Sequence, residues 1–122
     1  MKPEIAKPWA DKLRGDLKQT ESCLSDGESF CCLGVLCELA IEMGVPITKY
    51  KRNEYAGDET ITYLTGGQKS YLYLPETVKE WAGLKSSEGR TSDGRDCLAE
   101  MNDRGCSFKT IANFIESNVD KL

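Results

Sequence analysis

Histidine is missing from the whole chain. Without imidazole there is no Ser-His-Asp or Cys-His nucleophilic pair, no zinc site that depends on imidazole, and no imidazole acid–base step near neutral pH. Any catalysis would fall to carboxylates, lysine, tyrosine or an unassisted thiolate. Long apolar runs are lacking as well, since no stretch nears the roughly 20 residues of a membrane-spanning helix. No membrane partner is expected. The first residues, Met1-Lys2-Pro3-Glu4-Ile5-Ala6-Lys7-Pro8, carry neither the extended apolar stretch nor the small-residue cleavage site of a secretory signal, so a cytoplasmic protein is expected. Positive charge is in short supply: 16 Lys and Arg stand against 20 Asp and Glu, a formal net charge of -4. That balance opposes a sequence-independent grip on phosphate backbones, and nucleic acid is disfavoured as a partner.

What is present fits one domain. A chain of 122 residues with 39% hydrophobic content furnishes one core and hardly two, so residues 1–122 are read as a single α+β domain. Its six cysteines are Cys23, Cys31, Cys32, Cys37, Cys97 and Cys106. Three lie in a strongly apolar segment, where reduced cysteine serves as a small core side chain. Cys23, Cys32, Cys97 and Cys106 offer four thiolates for zinc, but the spacing lacks the C-x₂₋₄-C knuckles of structural zinc sites; no metal is expected. Cys31 and Cys32 fall near a helix start, where the dipole favours a thiolate, yet there is no histidine to take the proton. Packed thiols are the preferred reading, and no catalytic residue or cofactor is assigned.

The periodicities predict about five helices around a central buried one, with one β-hairpin. A helix starts at Pro8 and carries Trp9, Ala10, Leu13 and Leu17 at near-helical spacing. Lys18–Leu24 reads as a short strand before the Ser25-Asp26-Gly27 turn. The central helix spans Phe30–Met43, is capped by Ser29 or Asp26, and stops at Gly44 and Pro46; it should pack against Trp9, Trp81 and the last helix. Residues 47–58 form a basic, aromatic loop. Thr60–Leu64 and Ser70–Leu74 pair through Gly66-Gly67. A short helix runs from Pro75 to Gly83, residues 85–95 form an exposed mobile loop, and helices at about 96–103 and 108–119 close the chain.

Four blocks in order resemble a family of small uncharacterised proteins of tailed phages and prophages: Trp9 with Leu13-Arg14; Phe30-Cys31-Cys32-Leu33-Gly34-Val35-Leu36-Cys37-Glu38-Leu39-Ala40; Leu74-Pro75-Glu76 through Trp81-Ala82-Gly83-Leu84; and Met101-Asn102-Asp103 through Ile115-Glu116. The resemblance spans most of the chain and transfers a setting rather than a mechanism. It implies a non-enzymatic accessory protein for counter-defence or host takeover, acting on a host protein or sequestering a small nucleotide signal.

The binding residues expected from the chemistry are Tyr50, Lys51, Arg52 and Tyr55 of the basic loop with Tyr71 and Tyr73 of the hairpin, since rings and cations together hold nucleotides or acidic protein loops. Two alternatives stand beside this. The last two helices have a helix-turn-helix outline, with Asn113 and Asn118 as the base-reading side chains of a DNA-binding regulator, and a Cys-dependent enzyme is the other. Homo-oligomerisation stays open.

Overall fold

The computed structural model describes residues 1–52 and 59–122. Helix α1 covers Pro3–Leu13 and buries Ile5, Ala6, Trp9, Ala10 and Leu13. It starts five residues before the predicted point because Pro3 already supplies the preset φ of a first helical turn. Pro8 lies inside the helix; the carbonyl it leaves without an intrahelical donor belongs to Glu4, on the exposed side. The expected strand at 18–24 is only β1, Lys18–Gln19, which pairs in parallel with β2, Ser29–Phe30.

Helix α2, Cys32–Glu42, is the buried centre, with eight buried residues including all of Cys32–Cys37. Its cap is neither Ser29 nor Asp26 but Cys31, whose Sγ accepts from Gly34 N at 3.4 Å. Asp26 instead closes its own turn, its carboxylate accepting from Glu28 N and Ser29 N. Gly34 is fixed by contact: a Cβ there would stand 1.9 Å from the Leu24 carbonyl oxygen, so only glycine lets the 20–30 segment cross α2 this closely.

Residues 48–51 are a strand, not a loop. β3 (Thr48–Lys51), β4 (Ile61–Thr65) and β5 (Gln68–Ser70) form an antiparallel sheet in the order β3-β4-β5. Gly66 and Gly67 both have positive φ, 59° and 79°, as a two-residue hairpin turn requires. The second hairpin strand is shorter than predicted, since beyond Ser70 the Tyr71 carbonyl accepts from Leu24 N, outside the sheet.

Helix α3 is Glu76–Ala82, α4 is Leu98–Asp103 and α5 is Phe108–Ser117. α5 packs chiefly on α1, and α2 on α1 and α4, with Ile111 and Ile115 of α5 in the same buried core as the α2 side chains. Trp9 is fully buried and donates Nε1 to the Cys32 carbonyl at 3.0 Å; Trp81 lies half-buried at the rim. Residues 85–95 are not a free loop. Gly89 and Thr91 are buried, and main-chain bonds tie the segment to Leu74, Leu98 and the 121–122 backbone. No helix among the described residues is long and apolar enough to cross a membrane.

Candidate binding cleft

A hollow with both aromatic and cationic lining lies under β3. It measures about 240 Å³ and is lined by Ser25, Gly27, Phe30, Lys49, Tyr50, Lys51, Ile61 and Tyr63. One wall is the tight 25–29 turn. Ser25 Oγ donates to the Ser29 carbonyl and accepts from Gly27 N, and Ile61 N bonds the Ser25 carbonyl, which pins the turn to β4. Backbone N–H groups of Ser29 and Glu28 on the Asp26 carboxylate hold its pKa below the usual carboxylate value.

The opposite wall is the sheet. Register pairs Lys49 with Tyr63 and Lys51 with Ile61, so these four side chains share the face turned toward α2, and Tyr50 with Thr62 takes the other. Tyr63 is fully buried and donates its hydroxyl to Glu38 Oε2 at 2.8 Å. Lys49 Nζ donates to both oxygens of the same carboxylate, at 2.9 and 3.2 Å. Burial first, and the Glu38 charge second, push the Tyr63 hydroxyl far above the normal tyrosine range, so it stays a neutral donor. Lys51 pairs with Glu59 at 2.8 Å, which raises its pKa.

The expected set does not form one constellation. Lys51 lines this cleft, and Tyr50 borders it from a strand position whose side chain takes the opposite face of the sheet. Arg52 is stacked over the Tyr71 ring, 3.8 Å from its centroid, so cation and ring are already joined to each other. Tyr71 and Tyr73 line a second hollow together with Gln68 and Glu76, and Tyr73 lines a third beside Cys23 and Cys31. Tyr55 falls outside the described residues. Sequence reasoning left out Lys49, Phe30, Ser25 and Ile61. No apolar alternation marks this segment as a strand, so the placing of Lys49 and Lys51 on one face emerges only with the β4 register.

The other chemistries find little support in this geometry. Burial raises the Cys31 thiol to about 11 and holds Cys32 and Cys37 well above the usual thiol value, so desolvation outweighs the helix start. Cys32 and Cys97 point their thiols at the Leu98 and Glu88 carbonyls. Among the described residues no group of three or more Cys, Asp or Glu is placed to hold a metal. On α5, Arg14 bonds Asn113 at 2.8 Å and also Glu116, while Asn118 donates to the Phe114 carbonyl; both base-reading side chains are engaged within the protein.

No curated protein and no solved structure matches this chain. A family model described as a domain of unknown function, DUF8296, matches residues 1–119, and the chain belongs to that family.

Proposed function

We propose that this protein acts by binding, without chemistry of its own, as a phage-type accessory protein that engages a host protein through the surface around β3. The observation that carries the reading is the cleft itself: Phe30, Ile61 and Tyr63 give it an apolar floor, and Lys49 and Lys51 stand at its edge. Such a mix of apolar surface and a few placed polar groups suits recognition. The two thiols nearest a helix start, Cys31 and Cys32, are buried, and that burial raises their pKa and so works against a thiolate nucleophile. A protein partner is favoured over a nucleotide because the Arg52 cation and Tyr71 ring that would sandwich a base already stack on one another.

The test pairs turnover with retention. Purified protein is incubated with a metabolite extract of a bacterial host, followed by mass spectrometry, and separately used to retain host proteins. An unchanged metabolite pool, with a host protein held by the wild type and released by the Lys49→Glu/Lys51→Glu variant, supports the reading. Time-dependent conversion of a metabolite that stops on thiol alkylation overturns it.

A further inference from the structure

β3 is an unfinished sheet edge. Arg52 N donates to the Thr60 carbonyl at 2.8 Å, and the register places Tyr50 against Thr62 and Thr48 against Leu64. In an antiparallel pair the hydrogen-bonding residues alternate, so residues 48, 50 and 52 face β4 with their main chain. The N–H and C=O groups of Lys49 and Lys51 therefore point away from it. Among the described residues β4 is the only sheet partner of β3, and no main-chain hydrogen bond engages Lys49 or Lys51 on the outer side. All four strand residues are exposed. The opposite edge is different: the Tyr71 carbonyl accepts from Leu24 N, and the Gln68 side chain accepts from Glu76 N.

Charge selects what can complete the open edge. If a second copy paired antiparallel about Tyr50, Lys49 would stand opposite Lys51 and Lys51 opposite Lys49. Like charges directly opposed destabilise a strand pair, and edge lysines are a common guard against self-pairing. The same two ammonium groups, two residues apart on one face, match carboxylates two residues apart on an incoming strand. Their present partners do not block this. Lys49 bonds Glu38 and Lys51 bonds Glu59, with the lysine side chains 43% and 58% exposed, so both ammonium groups stay within reach of water and of an incoming carboxylate. Between the lysines, Tyr50 presents an exposed ring on the other face.

Resting on the binding reading above, we infer that β3 docks an extended acidic segment of the partner protein, which adds a strand along Thr48–Lys51. Acidic residues at alternate positions meet Lys49 and Lys51, and the apolar residue between them lies on Tyr50. Main-chain bonds supply the affinity and the alternating side chains the selectivity.

The probe is a capped hexapeptide of alternating glutamate and valine, with an alternating lysine and valine peptide as control. Amide hydrogen exchange is read residue by residue on the full-length protein. The expected result is that the acidic peptide slows exchange at the Lys49 and Lys51 amides by roughly tenfold or more, while the basic peptide leaves them unchanged. In the Lys49→Glu/Lys51→Glu variant the preference reverses, a response that mere loss of folding does not produce. Unchanged exchange with the acidic peptide at millimolar concentration overturns the inference, as does equal protection by both peptides. Protection that grows with protein concentration alone assigns the edge to a second copy and also overturns it. A host protein retained through Lys49 and Lys51 while the edge amides stay unprotected defeats strand addition and leaves the binding reading standing; metabolite turnover defeats the binding reading itself.

Discussion

Asn102 and Tyr63 are both fully enclosed polar side chains, yet they are satisfied in opposite ways. Asn102 accepts from Cys32 N at 3.1 Å and from Gln19 Nε2 at 2.9 Å, and donates to the Thr20 carbonyl at 2.8 Å. It thereby clips α4 to the start of α2 and to the chain after β1, largely through main-chain groups. Tyr63 meets a carboxylate whose other partner is the exposed Lys49. The helical side is closed by bonds that cannot be exchanged without opening the core, whereas the sheet side ends in charged groups that water or a ligand can take over. Architecture rests on the first arrangement, and recognition has room only in the second.

The strongest way to break the helical side is Gly34→Ala. The new Cβ meets the Leu24 carbonyl oxygen at 1.9 Å, and both α2 and the crossing segment are held by other contacts, so neither yields cheaply. A loss of roughly 3 kcal/mol or more is expected, read as a large drop in the urea midpoint or as insoluble protein. A midpoint equal to the wild type would mean that the crossing is looser than described. Asn102→Ala comes next. It leaves the buried Cys32 N–H and Thr20 carbonyl without this partner, at a cost of about 1–3 kcal/mol for an unsatisfied buried group. Faster exchange of the Cys32 amide should accompany the lower midpoint; an unchanged amide would show that another acceptor replaces the asparagine.

These two positions also show what was legible in the sequence. The α+β class, the central buried helix and the Gly66-Gly67 hairpin follow from local signals: apolar periodicity around 32–42, and two glycines between β-branched runs. Asn102 and Gly34 carry no local signal, because their roles depend on partners 70 and 10 residues away in the chain. For the same reason the sequence of β3 reads as a loop. Four exposed residues with two lysines have no apolar alternation, and only the pairing with β4 makes them a strand. Residue type points to Tyr50 and Lys51, which border the cleft, but carries no information on the stacking of Arg52 over Tyr71, which the fold alone creates.

On the sheet side smaller effects are expected, and their split tests the contrast. Tyr63→Phe removes one hydrogen bond to a charged group and should cost about 1.5 kcal/mol. Lys49→Ala and Lys51→Ala remove ion pairs whose lysines are 43% and 58% exposed, and each should shift the urea midpoint less than Tyr63→Phe does. If the lysine variants proved as destabilising as Tyr63→Phe, the edge would be part of the architecture, and its availability to a partner would be lost.

The smallest effect concerns the turn that walls the cleft. Two main-chain N–H groups favour the ionised Asp26 carboxylate and lower its pKa from the ordinary 3.8. A depressed carboxyl pKa stabilises the folded state above the unfolded value, and that contribution disappears as pH falls through the folded value. The wild type should therefore lose part of its stability below about pH 4. Asp26→Asn keeps an acceptor oxygen but no titrating group, so it should be slightly less stable at pH 7 and flatter between about pH 4 and pH 2. Thermal unfolding followed across that range separates the two curves. Parallel curves would place the acid sensitivity elsewhere, with Asp93 the next group to substitute, since the Thr91 hydroxyl and Arg95 N–H lower its pKa in the same sense. A difference present at pH 7 that closes along the acid limb would show that the turn beside β3 is set by its own local bonds, and that this wall of the cleft is in place before any partner arrives.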